Sequence, residues 1–163
     1  MTLFITCPTG PRNCHTTISN PTRIVRDKEL TVRVPLEREA VAVSTKNIII
    51  IATHGGEDPE RATIPFVMAN AALATEMDVT VILQTTGIWL AVKDYASHVR
   101  AEAFPPLDQL MKDFKELGGK IFACVPCMKS RNITEDMLIE GTKQVAAGTV
   151  VTEVSSADAT LCY

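Results

Sequence analysis

The run Asn47-Ile-Ile-Ile-Ile-Ala-Thr53 limits the fold of this chain more than any other segment. Four consecutive isoleucines leave no polar side, and their branched β-carbons are stiff and favour extended backbone. A strand that is apolar on both faces belongs in the middle of a parallel sheet with helices above and below. Two further segments read in the same way, Asp78-Val-Thr-Val-Ile-Leu-Gln84 and Lys120-Ile-Phe-Ala-Cys124.

Helical patterns fill the intervals. Asp58-Pro59 supplies an N-cap and a first-turn proline, after which Ala62, Phe66, Ala69 and Leu73 recur at helical spacing to about Thr75. Pro65 inside that pattern predicts a local kink. A short helix is expected over Ile88 to Lys93. Pro105-Pro106 then opens another, with Leu107, Leu110, Met111 and Phe114 on one side, and Gly118-Gly119 ends it. Thr134-Glu-Asp leads into a further short helix, and Lys143-Gln-Val-Ala146 reads as a short fourth strand. The stretch 149–156 fits either a strand or a helix. A helix fits the order better, because Ala159-Thr-Leu-Cys-Tyr163 then closes the chain as a fifth strand. Strands alternating with helices predict a single-domain, three-layer α/β/α fold around a mainly parallel sheet of about five strands.

Residues 1–45 do not share this pattern. They hold Pro8, Pro11, Pro21 and Pro35 among many Thr, Ser and Asn, and read as an irregular N-terminal extension with one short strand at Leu30-Thr-Val-Arg-Val34. The α/β domain is expected over 46–163. Met1 to Cys7 is too short for a signal peptide and lacks a basic start, and no apolar run is long enough to span a membrane. A net charge of -3 and 5% aromatic residues argue against a nucleic-acid binder, which needs a basic surface or stacking platforms. The five cysteines are odd in number and unevenly spread, unlike a secreted disulfide framework. That pattern predicts a cytoplasmic protein.

In an open parallel sheet, sites form beyond the carboxyl ends of the strands. Here those ends carry Thr53-His54-Gly55-Gly56, then Gln84-Thr85-Thr86-Gly87, then Cys124 and Cys127. If Pro126 begins a helix, the amides of Cys127 and Met128 are free donors facing the Cys124 sulfur, with Lys129 and Arg131 nearby. Such donors predict a lowered thiol pKa and a nucleophilic Cys124, and the strand-end position favours that over a small buried apolar residue. Cys127 either resolves a mixed disulfide or persulfide on Cys124 or lines the site passively. Zinc would need two more ligands, and Cys7, Cys14 and His15 supply them only at irregular spacing, so no metal is expected. A thioredoxin-type motif fits poorly too, because this Cys-x-x-Cys follows several elements instead of an early strand. His54 is either a proton donor and acceptor for the thiol or a hydrogen-bonded turn residue. Gly55-Gly56 makes a tight turn but no dinucleotide fingerprint, so no cofactor is expected. Gly55, Gly56, Gln84, Thr86, Gly87, Lys129 and Arg131 are the candidate substrate-binding residues.

The chain resembles the DsrE/DsrF-like family over Lys46 to Tyr163. The likeness rests on Ile48-Ile-Ile-Ile-Ala-Thr-His-Gly-Gly-Glu-Asp-Pro59 with its alanine-rich helix, and on Val81-Ile-Leu-Gln-Thr-Thr-Gly87. It rests also on Gly118-Gly-Lys-Ile-Phe-Ala-Cys124 with Lys129-Ser-Arg131, and on the last Ala-Asp-Ala-Thr-Leu strand. The resemblance implies a five-stranded parallel sheet and assembly into trimers or hexamers. In sulfur-relay members a cysteine after the third or fourth strand carries sulfane sulfur as a persulfide, and Cys124 holds the matching position. Many relatives have Arg-Gly where this chain has Arg131-Asn132, and asparagine tolerates the left-handed conformation of such a turn. Cys127 and the N-terminal extension lie outside the family pattern.

The expectation is a sulfur carrier or sulfurtransferase-like protein that loads Cys124 from a sulfur donor protein and delivers to an acceptor protein. A peroxiredoxin-like redox protein using Cys124 and Cys127 is the main alternative. A non-catalytic, oligomeric small-ligand-binding protein is the third.

Overall fold

The computed structural model describes residues 46–163. Five strands form one sheet: β1 (Asn47–Ala52), β2 (Asp78–Leu83), β3 (Lys120–Cys124), β4 (Lys143–Val145) and β5 (Ala159–Cys162), in the order β4-β3-β2-β1-β5. Every pairing is parallel. The helices are α1 (Pro59–Ala74), α2 (Leu107–Glu116), α3 (Val125–Lys129) and α4 (Ala147–Ser156). The expected strand at Leu30–Val34, and Cys7, Cys14 and His15, lie outside the described residues.

Strand alternation divides the core in two. Ile50, Ala52, Val79, Val81, Leu83, Ile121 and Ala123 face one way, and pack with Ala62, Phe66 and Ala69 of α1 and Leu107, Met111 and Phe114 of α2. Phe66 and Phe114 meet edge to face at 5.8 Å between centroids. The opposite residues Ile49, Ile82, Phe122 and Val145 meet Val150 and Val154 of α4. The reading of 149–156 as helix is thus borne out, and β5 returns beside β1 behind it.

Helix ends follow the sequence signals closely. The Asp58 carboxylate accepts from the Arg61 amide at 3.1 Å, and Pro59 occupies the first turn. At the end of α2 the Gly118 and Gly119 amides donate to Lys115 and Phe114 carbonyls, with Gly118 at φ +90. This is the paired-bond glycine cap. Helix α1 continues through Pro65 without a break. The expected short helix at Ile88–Lys93 differs: a 3-10 turn begins earlier and covers Thr85–Ala91, followed by a second at Tyr95–His98. Gly87 lets this turn approach the end of β1, since a Cβ there would stand 2.5 Å from the Ala52 carbonyl oxygen. The helix expected after Thr134 is likewise one 3-10 turn, Glu135–Met137.

Candidate functional site: two thiols at the strand ends

The register places the strand ends side by side. Ala52 pairs with Leu83 and Leu83 with Ala123, so the next residues, Thr53, Gln84 and Cys124, emerge at one level. The loops that leave there are bound to each other. The Thr53 carbonyl accepts from the Gly87 amide at 3.1 Å and from the Thr85 hydroxyl. The Thr86 hydroxyl lies 3.1 Å from the same carbonyl and also contacts the Glu57 carboxylate. A carbonyl oxygen has two lone pairs, so Gly87 and Thr85 fill them. The single Thr86 proton then serves the carboxylate, the stronger acceptor.

Gly55 and Gly56 have separate reasons for being glycine. A Cβ on Gly55 would stand 2.7 Å from the Thr86 carbonyl oxygen, and one on Gly56 would stand 2.9 Å from the Tyr95 hydroxyl. The Gly55 amide donates to both Glu57 carboxylate oxygens at 3.0 and 3.1 Å, and the Gly56 amide donates to Tyr95 at 3.2 Å. Burial would push the Glu57 carboxyl up. Hydrogen bonds from Thr86, from the amides of Gly55 and Glu57, and the nearby His54 outweigh it and hold the carboxyl below its ordinary value.

Cys124 and Cys127 are both partly buried, with sulfurs 3.1 Å apart. Cys124 ends β3 and caps α3, whose first turn contains Pro126. The Cys124 side chain makes no capping hydrogen bond to α3, and the nearby Cys127 amide acts on it only as a dipole that favours the thiolate. The Cys127 sulfur in turn accepts from the Thr85 amide at 3.2 Å. Thr85 holds that amide with φ at +48, in the left-handed region that branched residues rarely occupy.

The expectation of a lowered Cys124 pKa is corrected. Burial pushes this thiol up, and the Cys127 thiol beside it pushes the same way. The Cys127 amide and the Arg131 charge pull it down without winning. Helix α3 is only five residues long, so few aligned peptides contribute at its start.

The other candidates divide clearly. Arg131 bonds through Nη1 to the Cys127 carbonyl at 3.2 Å and the Ser130 hydroxyl at 2.9 Å, which keeps its charge at the thiols. Asn132 follows at φ +55, in the left-handed conformation expected of it. The exposed Lys129 amino group bonds to none of the described residues. Gln84 is fixed through its backbone, its amide bonding the Ala52 carbonyl at 3.0 Å. His54 lies on the far side of β2 from the cysteines. Its Nδ1 is 3.0 Å from the Thr53 hydroxyl, which itself donates to the Tyr163 carbonyl, and its Nε2 is 3.5 Å from Arg61. The structure does not bring His54 into contact with either thiol.

Sequence reasoning missed Thr85, Glu57 and Tyr95. Thr85 stood beside Thr86 with no mark to separate them. Glu57 sat next to a cap residue and read as plain loop. Tyr95 comes from a stretch with no period and is held by stacking on Trp89 at 5.9 Å. A cavity of about 530 Å³ lies elsewhere, between the 3-10 turns and α2, where Leu90, Val92, Met111, Lys115 and Ile139 line it. The partly buried thiols sit at the strand ends, outside that cavity.

The model of the DsrE/DsrF-like family matches residues 46–163. The chain belongs to the DsrE/DsrF-like family. Among relatives of this DsrE-like chain is the uncharacterised protein MJ0760 of Methanocaldococcus jannaschii, 33% identical over 119 residues. That match takes in 73% of this chain but 43% of MJ0760, so the chain spans less than half of that relative. Uncharacterised MJ0989 of the same organism is 29% identical over 109 residues, 67% of this chain and 92% of its own. The DsrE-like fold is also that of the ychN protein from E. coli, at a TM-score of 0.63 and 17% identity. That likeness covers 73% of this chain and 100% of the other. MTH1491 of Methanobacterium thermoautotrophicum, a protein of unknown function, follows at a TM-score of 0.56 and 15% identity, covering 73% and 99%.

Proposed function

We propose that this protein is a sulfur carrier that accepts sulfane sulfur on Cys124 as a persulfide and passes it to a partner thiol. The observation that carries the reading is the placement of Cys124. Its sulfur stands at a strand end, 3.1 Å from the Cys127 sulfur, with the Cys127 amide and the Arg131 charge both favouring its anion. These groups stabilise a thiolate as it forms and a persulfide anion once it is loaded. Membership of the DsrE/DsrF-like family supports the same chemistry. The thiols are partly exposed at the strand ends, which suits delivery to the thiol of an acceptor protein, and donor and acceptor proteins are the partners. Further copies of the same chain complete the assembly, and the setting is the cytoplasm. Among the described residues no helix is long and apolar enough to cross a membrane.

The close pair of sulfurs favours one second reading, a peroxiredoxin-like protein in which Cys124 reduces peroxide and Cys127 resolves it. Mass spectrometry of the reduced protein, after a sulfane donor or peroxide, separates the two. The carrier reading expects an extra sulfur to arrive on Cys124 from the sulfane donor. A 124–127 disulfide that forms under peroxide, with no sulfur ever accepted from the donor, would replace it with the redox reading. Inert cysteines under both treatments would sink both.

A further inference from the structure

A carrier needs one thiol, yet this site has two in contact, and the fold aims a strained amide at the second. We infer that the Cys124–Cys127 pair is a self-discharging persulfide reductase, in which Cys127 releases undelivered sulfur from Cys124 as hydrosulfide. This rests on the carrier reading for its first step.

The chemistry closes without a cofactor. In loading, the Cys124 thiolate attacks the outer sulfur of a persulfide RS–SH, forming Cys124–S–SH and expelling RS⁻. In discharge, the Cys127 thiolate attacks the inner sulfur, which is Cys124 Sγ itself. The Cys124–Cys127 disulfide forms, the bond to the outer sulfur breaks, and that sulfur leaves as HS⁻. The two thiols lose two electrons and the sulfane sulfur gains them. A dithiol reductant then returns the pair to its starting state by exchange.

Geometry selects the inner sulfur. Cys127 Sγ stands 3.1 Å from Cys124 Sγ, about 1 Å beyond a disulfide bond of about 2.05 Å. The Thr85 amide, 3.2 Å from Cys127 Sγ, is a fixed donor for the attacking anion. Thr85 adopts φ +48 while supplying it, and its hydroxyl bond to the Thr53 carbonyl holds the turn in place. Strain of this kind costs about 1–3 kcal/mol and persists only where surrounding contacts enforce it. A passive Cys127 would give no chemical use to that arrangement. The consequence is a limit on persulfide lifetime. An acceptor already docked takes the sulfur; in its absence Cys127 clears the site.

The test loads the reduced full chain with glutathione persulfide, removes excess donor, and follows free hydrosulfide and the intact mass together. Wild type is expected to release about one hydrosulfide per chain, set by the stoichiometry, and to finish as the 124–127 disulfide. Cys127→Ser, and Cys127→Ala as a second variant, should keep the extra sulfur on Cys124 and lose the release. Wild type that holds its extra sulfur with no disulfide would overturn the discharge and leave the carrier intact. Extra sulfur that moves to Cys127 without release would also overturn it, showing attack on the outer sulfur. If neither Cys127 variant ever gains sulfur, the carrier reading itself fails.

Discussion

At the scale of single residues, the two cysteines are unequal because their environments differ, although the motif is symmetrical. Burial and the Cys127 thiol both keep the proton on Cys124, against the Cys127 amide and Arg131. Peptide-resolved iodoacetamide labelling should therefore show Cys124 reacting with a midpoint above the ordinary thiol value of about 8.5. Cys127→Ser removes the neighbouring thiol and should move that midpoint down; Arg131→Ala removes a favourable charge and should move it up. A midpoint indifferent to both changes would mean that the pair does not share its titration. Folding retains a proton on Cys124, so this contribution is present below the ordinary thiol pKa and is lost as pH rises through the raised one. What the sequence made legible here was the position: Cys124 at a strand end, and glycine where Gly55 and Gly87 approach neighbouring backbone. The sign of the pKa shift was not legible. It depends on how far the Cys127 sulfur lies from Cys124 and how much water the loops exclude. Thr85 was hidden for a similar reason, since nothing in its identity announces a left-handed backbone.

Elements were the most readable level, because their causes are local. The apolar run at β1, the Asp58 cap and the Gly118–Gly119 terminus each depend on residues within a few positions. The segment after β2 was harder. Its 3-10 winding is governed by contacts far along the chain, among them the Thr85 and Gly87 bonds to the Thr53 carbonyl. The α2 terminus offers a clean test of packing against conformation. A Cβ on Gly119 would enter the Phe114 ring, which is fully buried and fixed against Phe66. Gly119→Ala should cost about 1–3 kcal/mol, as overpacking does, lowering the urea midpoint without changing the slope. Gly118→Ala meets nothing within 4 Å, and its cost of about 1–2 kcal/mol should come from φ +90 alone. Gly118→Asn should then recover part of the loss, because asparagine tolerates that conformation, whereas Gly119→Asn should recover nothing. Recovery at both positions would show that backbone, not the Phe114 ring, limits Gly119.

Among the described residues the sheet is covered unevenly. One face of the sheet lies under α1 and α2, while the other lies under α4, which has no buried residue of its own. Val151 of α4 is 68% exposed, yet Ile49, Ile82, Phe122 and Val145 beneath that layer are buried. Beside it, β5 forms an edge of the sheet with Ala159, Thr160 and Cys162 exposed. Among the described residues nothing pairs with that edge, and an unpaired edge beside an apolar residue on a thin outer layer is a feature that proteins ordinarily cover. The assembly proposed above supplies a cover: another copy of the chain against α4 and β5. Sedimentation velocity should then show a multimer for the wild type, and Val151→Lys should shift it towards the monomer with little change in circular dichroism. The cost of that substitution to a monomer is small, since surface changes usually fall within about 0.5 kcal/mol. A lost multimer therefore reports on the interface and not on the fold. A wild type that sediments as a monomer would remove the assembly, and a multimer unaffected by Val151→Lys would move its contact away from α4.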